Sequence, residues 1–136
     1  DPGQVLVEAA QAIGAVIKPL VRPSSILLAL MASGINGQCF QFNGYLPIDA
    51  AERKKKIKEL ETDSYKRNCT QLFIETPYRN NALINDLLHA CKQETKLCIA
   101  VDITAANESI QTKTIQDWKK QPVDIHKRLA IFLLHA

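Results

Sequence analysis

TQLFIETPYRNNALINDLLHACKQETKLCIAVDI, residues 70–103, is the stretch that decides the fold. It opens on one apolar run, TQLFIE, and closes on another, KLCIAVDI, each of strand length and rich in residues that favour strands. Between them, from Asn80 or Asn81 to Lys92, Leu83, Ile84, Leu87, Leu88 and Cys91 recur at three- and four-residue intervals and mark one face of a helix. A strand, a helix and a second strand predict a β-α-β unit and an α/β fold. The first strand breaks off into Glu75, Thr76, Pro77, Tyr78 and Arg79, so an acid, a hydroxyl, a phenol and a base leave one strand end together. Carboxyl ends of strands line the ligand crevice in open α/β sheets. The same residues also suit a loop and helix cap that bind nothing.

Working outward, ESIQTKT predicts another strand, TIQDWKKQ a short helix and LAIFLLHA a buried terminal strand. Upstream, DAAERKKKIKELETD reads as a charged helix with Ala50, Ile57 and Leu60 as a weak apolar stripe. Its Arg53, Lys54, Lys55 and Lys56 suit contacts to RNA phosphates, or simply a solvated face neutralised by Glu52, Glu59 and Glu61. QCFQFNGYLP, residues 38–47, alternates as a short strand; Asn43-Gly44 followed by Pro47 marks a turn or linker, where a domain boundary is expected. RPSSILLALMASG predicts a helix from about Ser25 to Ala32, buried on most sides. At the beginning, Asp1-Pro2 opens a helix with Val5, Leu6, Ala9, Ala10, Ala12 and Ile13 on one face, Gly14 ends it, and AVIKPL is expected as a strand.

The chain has 136 residues, 46% of them hydrophobic, enough for a core; 17 Lys and Arg against 14 Asp and Glu leave a net charge of +3, too mild to require nucleic acid. No apolar run approaches the roughly 20 residues of a membrane span and no basic-then-apolar leader is present, so a soluble, unsecreted chain with no membrane partner is expected. Cys39, Cys69, Cys91 and Cys98 form no CxxC pair and have no histidine in ligand spacing, which predicts buried free thiols and no metal site. His89, His126 and His135 stand apart and form no recognisable triad. Trp118 suits stacking on a base or cover for the core edge.

DPG, then PSS about twenty residues on, ASG, FNGYLP and IETPYRN, in this order, resemble the tetrapyrrole methylase superfamily. The branch most similar holds the bacterial 16S ribosomal RNA 2′-O-ribose (cytidine) methyltransferases, with D-P-G, G-P-S-A, S-G, F-x-G-F-L-P, E-S-P-H-R and E-L-T-K. The resemblance implies two α/β domains, the second with a mixed sheet, and S-adenosylmethionine in the cleft between them. The family's glycine-rich loop precedes D-P-G and has no counterpart here. Residues 1–46 are therefore expected to be the latter part of a first domain and 47–136 a complete second one, in an N-terminally truncated chain. A homodimer, ribosomal RNA as partner and a cytoplasmic location are also implied.

Position by position, the resemblance places Asp1, Pro2 and Gly3 in the turn beside the cofactor and Ser24 and Ser25 at its methionine part. It sets Glu75 and Thr76 near the nucleoside, and Ala130 and Ile131 in the terminal strand that closes over the adenine. Tyr78 and Arg79 stand where H-R would reach a substrate phosphate. The chain departs from the pattern at Arg22, which replaces a glycine, at Tyr78, which replaces a histidine, and at Asp102, Ile103, Thr104 and Ala105, which replace E-L-T-K. No catalytic base is assigned. The acceptor stays open between an RNA ribose hydroxyl and a tetrapyrrole carbon or other small molecule, and a non-catalytic module that keeps the cleft is the third reading.

Overall fold

The computed structural model describes residues 2–136; Asp1 lies outside the described residues. Five strands, β1 (Phe40–Tyr45), β2 (Thr70–Ile74), β3 (Lys96–Val101), β4 (Ser109–Thr114) and β5 (Ala130–His135), form one sheet in the order β1-β2-β5-β3-β4. β1 and β2 are parallel, whereas β5 is antiparallel to both β2 and β3, and β4 to β3. β2 and β3 therefore run the same way, joined by helix α4 (Asn80–Ala90) as the sequence predicts, but β5 is inserted between them. AIFLLH takes the centre because it is apolar on both faces. Phe132 and Leu134 join one core cluster with Leu83, Leu87 and Ile57, while Ile131 and Leu133 join another with Ala29 and Leu30.

Helix α3 (Ala50–Arg67) begins where the Asp49 carboxylate accepts from the Glu52 backbone N–H at 3.0 Å. It ends at Asn68, which adopts the left-handed conformation (φ 50°) and donates its N–H to the Ser64 carbonyl. Its buried stripe is Arg53, Ile57, Leu60, Glu61 and Ser64. Glu61 accepts from Lys92 N at 2.8 Å and from the Thr95 hydroxyl at 2.7 Å, which fixes the turn that feeds β3. Helix α5 (Ile115–Lys120) buries Trp118, whose indole N–H donates to the Leu97 carbonyl at 2.8 Å, so this ring covers the core edge.

Arg53 departs from the expected phosphate contact. It is buried, its Nε donates to Asp86 at 2.6 Å and its Nη1 to the Ile48 carbonyl at 3.0 Å, which ties α3 to α4. Truncation would strand the nearly buried Asp86 carboxylate. Arg53→Ala is expected to cost about 2 kcal/mol of stability, measured by urea unfolding, with Asp86→Ala in the same background adding little. Additive losses from the two substitutions would contradict the coupling.

Upstream, α1 (Pro2–Ala12) buries no residue. The strand expected in AVIKPL does not form: residues 15–24 carry no regular structure, and Val16, Leu20 and Val21 are exposed. A strand needs a neighbour for its backbone groups, and neither sheet edge, β1 nor β4, pairs with this segment. Helix α2 (Ser25–Ser33) lies on the sheet by one side only: Ala29, Leu30 and Ser33 are buried, whereas Leu27 and Met31 are 48% and 78% exposed. Its apolar surface exceeds what the sheet covers, so burial on most sides is not observed. The junction expected at 46/47 falls between β1 and α3, and β1 is hydrogen-bonded into the same sheet as the later strands.

Candidate functional site

The parallel strands β1, β2 and β3 end on the same side of the sheet, beside the start of β5. A cavity of about 390 Å³ opens there, within the roughly 300–1,000 Å³ of small-molecule sites. Phe42 and Tyr45 line it from β1, Ile74, Glu75 and Pro77 from the end of β2, and Ala100, Asp102, Ile103 and Ala105 from the end of β3. Leu129, Ala130 and Ile131 supply the wall from β5, and Ser25 and Ile26 from the start of α2. Apolar walls with two acids form the lining.

Those acids are held differently. Glu75 is buried, with Oε1 accepting from the Thr76 backbone N–H at 2.8 Å and standing 3.9 Å from Arg79 Nε. Asp102 sits at φ 49°, just past β3, where its Oδ2 accepts from Arg128 Nε at 2.7 Å and Asn107 Nδ2 at 3.0 Å. Its Oδ1 accepts from Leu129 N at 3.3 Å, and its own N–H donates to the Leu129 carbonyl at 2.8 Å. Thr104, a β-branched residue, is held at φ 69° while its N–H donates to Glu108 at 2.9 Å. The 102–108 turn is thus built by its own side chains and by Arg128.

Hydrogen bonding from Arg128 is the main cause that holds the Asp102 carboxyl below the usual carboxylate range, with Leu129 N–H, the Arg128 charge and Asn107 adding to it against partial desolvation. A depressed folded value means that this pairing stabilises the protein above the unfolded value, about pH 4, and that the contribution is lost as pH falls through the folded value. Thermal unfolding of the parent and of Asp102→Asn is expected to differ most near neutral pH and to converge at about pH 3. A gap that stays constant over that range would contradict the pairing.

Ser25, Glu75, Ala130 and Ile131, all expected at the cofactor, line this one cavity. Ser24 is the N-cap residue of α2 and Thr76 lies between two lining residues. Pro2 and Gly3 open α1, and neither lines the cavity. Tyr78 and Arg79 form a 3₁₀ turn (Pro77–Arg79) beside it; Tyr78 is exposed and meets the His126 ring edge-on at 5.9 Å. Lys54 and Lys55 are exposed and Lys56 half-buried. Phe42, Tyr45, Leu129 and Arg128 were not legible as site residues, because strand pairing and not local sequence carries them there. Among the described residues no group of metal-ligating side chains gathers, and no helix is long and apolar enough to cross a membrane.

The same arrangement of strands and helices occurs in solved structures. The methyltransferase CobJ superposes with a TM-score of 0.58 at 16% identity, over 97% of this chain and 57% of CobJ. The cobalt precorrin-4 methyltransferase CbiF gives 0.55 at 14% identity, over the same shares. The fold is that of the tetrapyrrole methylases. Sequence similarity adds proteins named ribosomal RNA small subunit methyltransferase I. That of Vibrio cholerae is 30% identical over 139 residues, covering all of this chain and 47% of the relative. That of Mesorhizobium japonicum is 31% identical over 116 residues, 85% of this chain and 38% of the relative. The chain spans about half the length of the curated relatives it matches, or less. No family model matches it.

With this tetrapyrrole-methylase fold in view, the cavity fits the adenosyl part of S-adenosylmethionine by the chemistry of its donors. Apolar walls suit a flat ring, and a carboxylate at a strand end suits ribose hydroxyls and tolerates a nearby sulfonium. Among the described residues no hydrogen bond is made to Glu75 Oε2, which leaves that oxygen for a ligand.

Proposed function

We propose that this chain supplies the cofactor cavity of an S-adenosylmethionine-dependent methyltransferase whose acceptor is a ribose 2′-hydroxyl of ribosomal RNA. The carrying observation is the cavity at the strand ends, where Ser25, Glu75, Ala130 and Ile131 meet, in a chain similar along its whole length to a ribosomal RNA methyltransferase. When bound, S-adenosylmethionine supplies a methyl group already activated by the sulfonium charge. What is left to the protein is positioning. The apolar walls exclude water from the ring, Glu75 is held still by Thr76 N–H, and Arg128 fixes Asp102 and its turn at the opposite wall. Tyr78 and Arg79, beside the cavity, and Lys54 and Lys55 on the exposed face of α3 suit RNA phosphates.

Methyl-labelled S-adenosylmethionine and ribosomal RNA, incubated with the full-length protein and digested with alkali, test the acceptor. Alkali cleaves RNA through the 2′-hydroxyl, so a 2′-O-methyl leaves an alkali-stable labelled dinucleotide. Label in mononucleotides would mean base methylation, and RNA without label would remove the proposal. Lys54→Gln with Lys55→Gln is expected to weaken RNA binding and lower the slope of log affinity against log salt by about one, against about 0.7 per phosphate contact on single strands. An unchanged slope would return these lysines to the role of a solvated face.

A further inference from the structure

The four cysteines are not equivalent. Cys91 and Cys98 are buried in the two separate core clusters on opposite faces of the sheet. Cys39 and Cys69 immediately precede Phe40 and Thr70, which are paired partners at the start of the parallel strands β1 and β2. The Thr70 N–H donates to the Cys39 carbonyl at 2.9 Å, so the two cysteines stand side by side. Neighbouring strands lie about 4.8 Å apart, inside the roughly 4.4–6.8 Å Cα separation that a disulfide spans. Their thiols also meet: Cys39 is a hydrogen-bonding neighbour of the Cys69 side chain.

The surroundings hold the pair in place. Asn36 Nδ2 donates to the Asn68 carbonyl at 2.7 Å, and the Thr70 hydroxyl donates to the Asn36 carbonyl at 2.7 Å, which clamps the approach to β1 against that to β2. Burial, reinforced by Cys39, pushes the Cys69 thiol up to about 11, whereas Cys39 is half-buried and reachable from solvent. Arg67, paired with Asp63, lies within electrostatic reach of both sulfurs. A nearby cation favours a thiolate, and accessibility makes Cys39 the sulfur that meets an oxidant first.

We propose that Cys39 and Cys69 are a redox-modification site that closes to a disulfide when Cys39 reacts with hydrogen peroxide. The Cys39 thiolate attacks one peroxide oxygen, the O–O bond breaks, and Cys39 becomes a sulfenic acid while hydroxide leaves and is protonated to water. The Cys69 sulfur then attacks the Cys39 sulfur, its proton leaves with the displaced hydroxyl as a second water, and the S–S bond forms. The two sulfurs together lose two electrons and peroxide gains two. The bond ties the edge strand β1, whose Phe42 and Tyr45 form one wall of the cavity, to β2.

The test is stoichiometric hydrogen peroxide on the folded protein, alkylation of the remaining thiols, and peptide mapping without reduction. The expected result is peptide 68–79 joined to the peptide that carries Cys39, with two of the four thiols lost and recovered on adding dithiothreitol. Cys39→Ser should abolish the link, and Cys91→Ser should leave it intact. Sulfinic or sulfonic acid at Cys39 with Cys69 unlinked, a link to Cys91 or Cys98, or a link only between two copies of the chain would each overturn the proposal. The map of the parent protein decides even if a variant fails to fold.

Discussion

An Ala105→Trp substitution is expected to lower affinity for S-adenosylhomocysteine about a hundredfold, a loss of roughly 2.7 kcal/mol, while leaving the fold intact. Ala105 is exposed, lies in the turn after β3 and lines the cavity, so an indole placed there would fill space that the ligand needs. Its backbone N–H donates to the Asp102 carbonyl at 2.9 Å, a bond that the side chain does not disturb. Its φ is not among the positive ones, so the larger residue meets no backbone penalty. Thermal unfolding should move by no more than about 3 °C, as for other surface changes. Calorimetric titration of parent and variant reads the affinity, with Ala105→Ser as the control that keeps the space open. Equal affinity for all three would mean that the ligand sits elsewhere.

The largest effect on stability is expected from Phe132→Ala, at about 3–5 kcal/mol, measured by urea unfolding. Phe132 is fully buried in the central strand and paired to Phe73 on one side and Ile99 on the other. Its ring stacks on that of Phe73 with centroids 6.0 Å apart and planes 10° from parallel. Removing it leaves a cavity that strands bonded on both edges cannot collapse to fill. Leu129, just before β5 and exposed, gives the contrast: Leu129→Ala should change stability by about half a kcal/mol or less. A loss below about 1 kcal/mol for Phe132→Ala would show that the core can close over the gap, against the packing described here.

The β-α-β unit was legible because its apolar residues keep the helical and strand periods over the whole stretch 70–103. The insertion of β5 between β2 and β3 was not, since any apolar strand could occupy that place and only pairing selects it. Asn43-Gly44 carries the signature of a turn, yet β1 runs through it as an irregularity, with Gly44 at φ 65° and a register shift between Phe42 and Tyr45. That shift brings Tyr45 to the cavity. Arg53 looked like one of four equal cations, but it stands four before Ile57 and seven before Leu60, on the apolar stripe, and that spacing is the signal that could have turned it inward.

Of the site, the strand ends at Glu75 and Asp102 were visible as abrupt changes from apolar to polar. Arg128 was not, because residues 121–129 have no period and its role is set by a partner 26 positions away. Ser25 and Ile131 are distant in sequence, and only the packing of α2 on the sheet gives them a common cavity.

Hydrogen exchange with and without S-adenosylhomocysteine tests the central claim most directly. The account predicts that the ligand slows exchange in residues 74–77, 100–105 and 129–131, the walls of the cavity, and leaves α5 and the exposed face of α3 unchanged. Protection confined to other elements, or none at saturating ligand, would contradict a cofactor cavity at these strand ends.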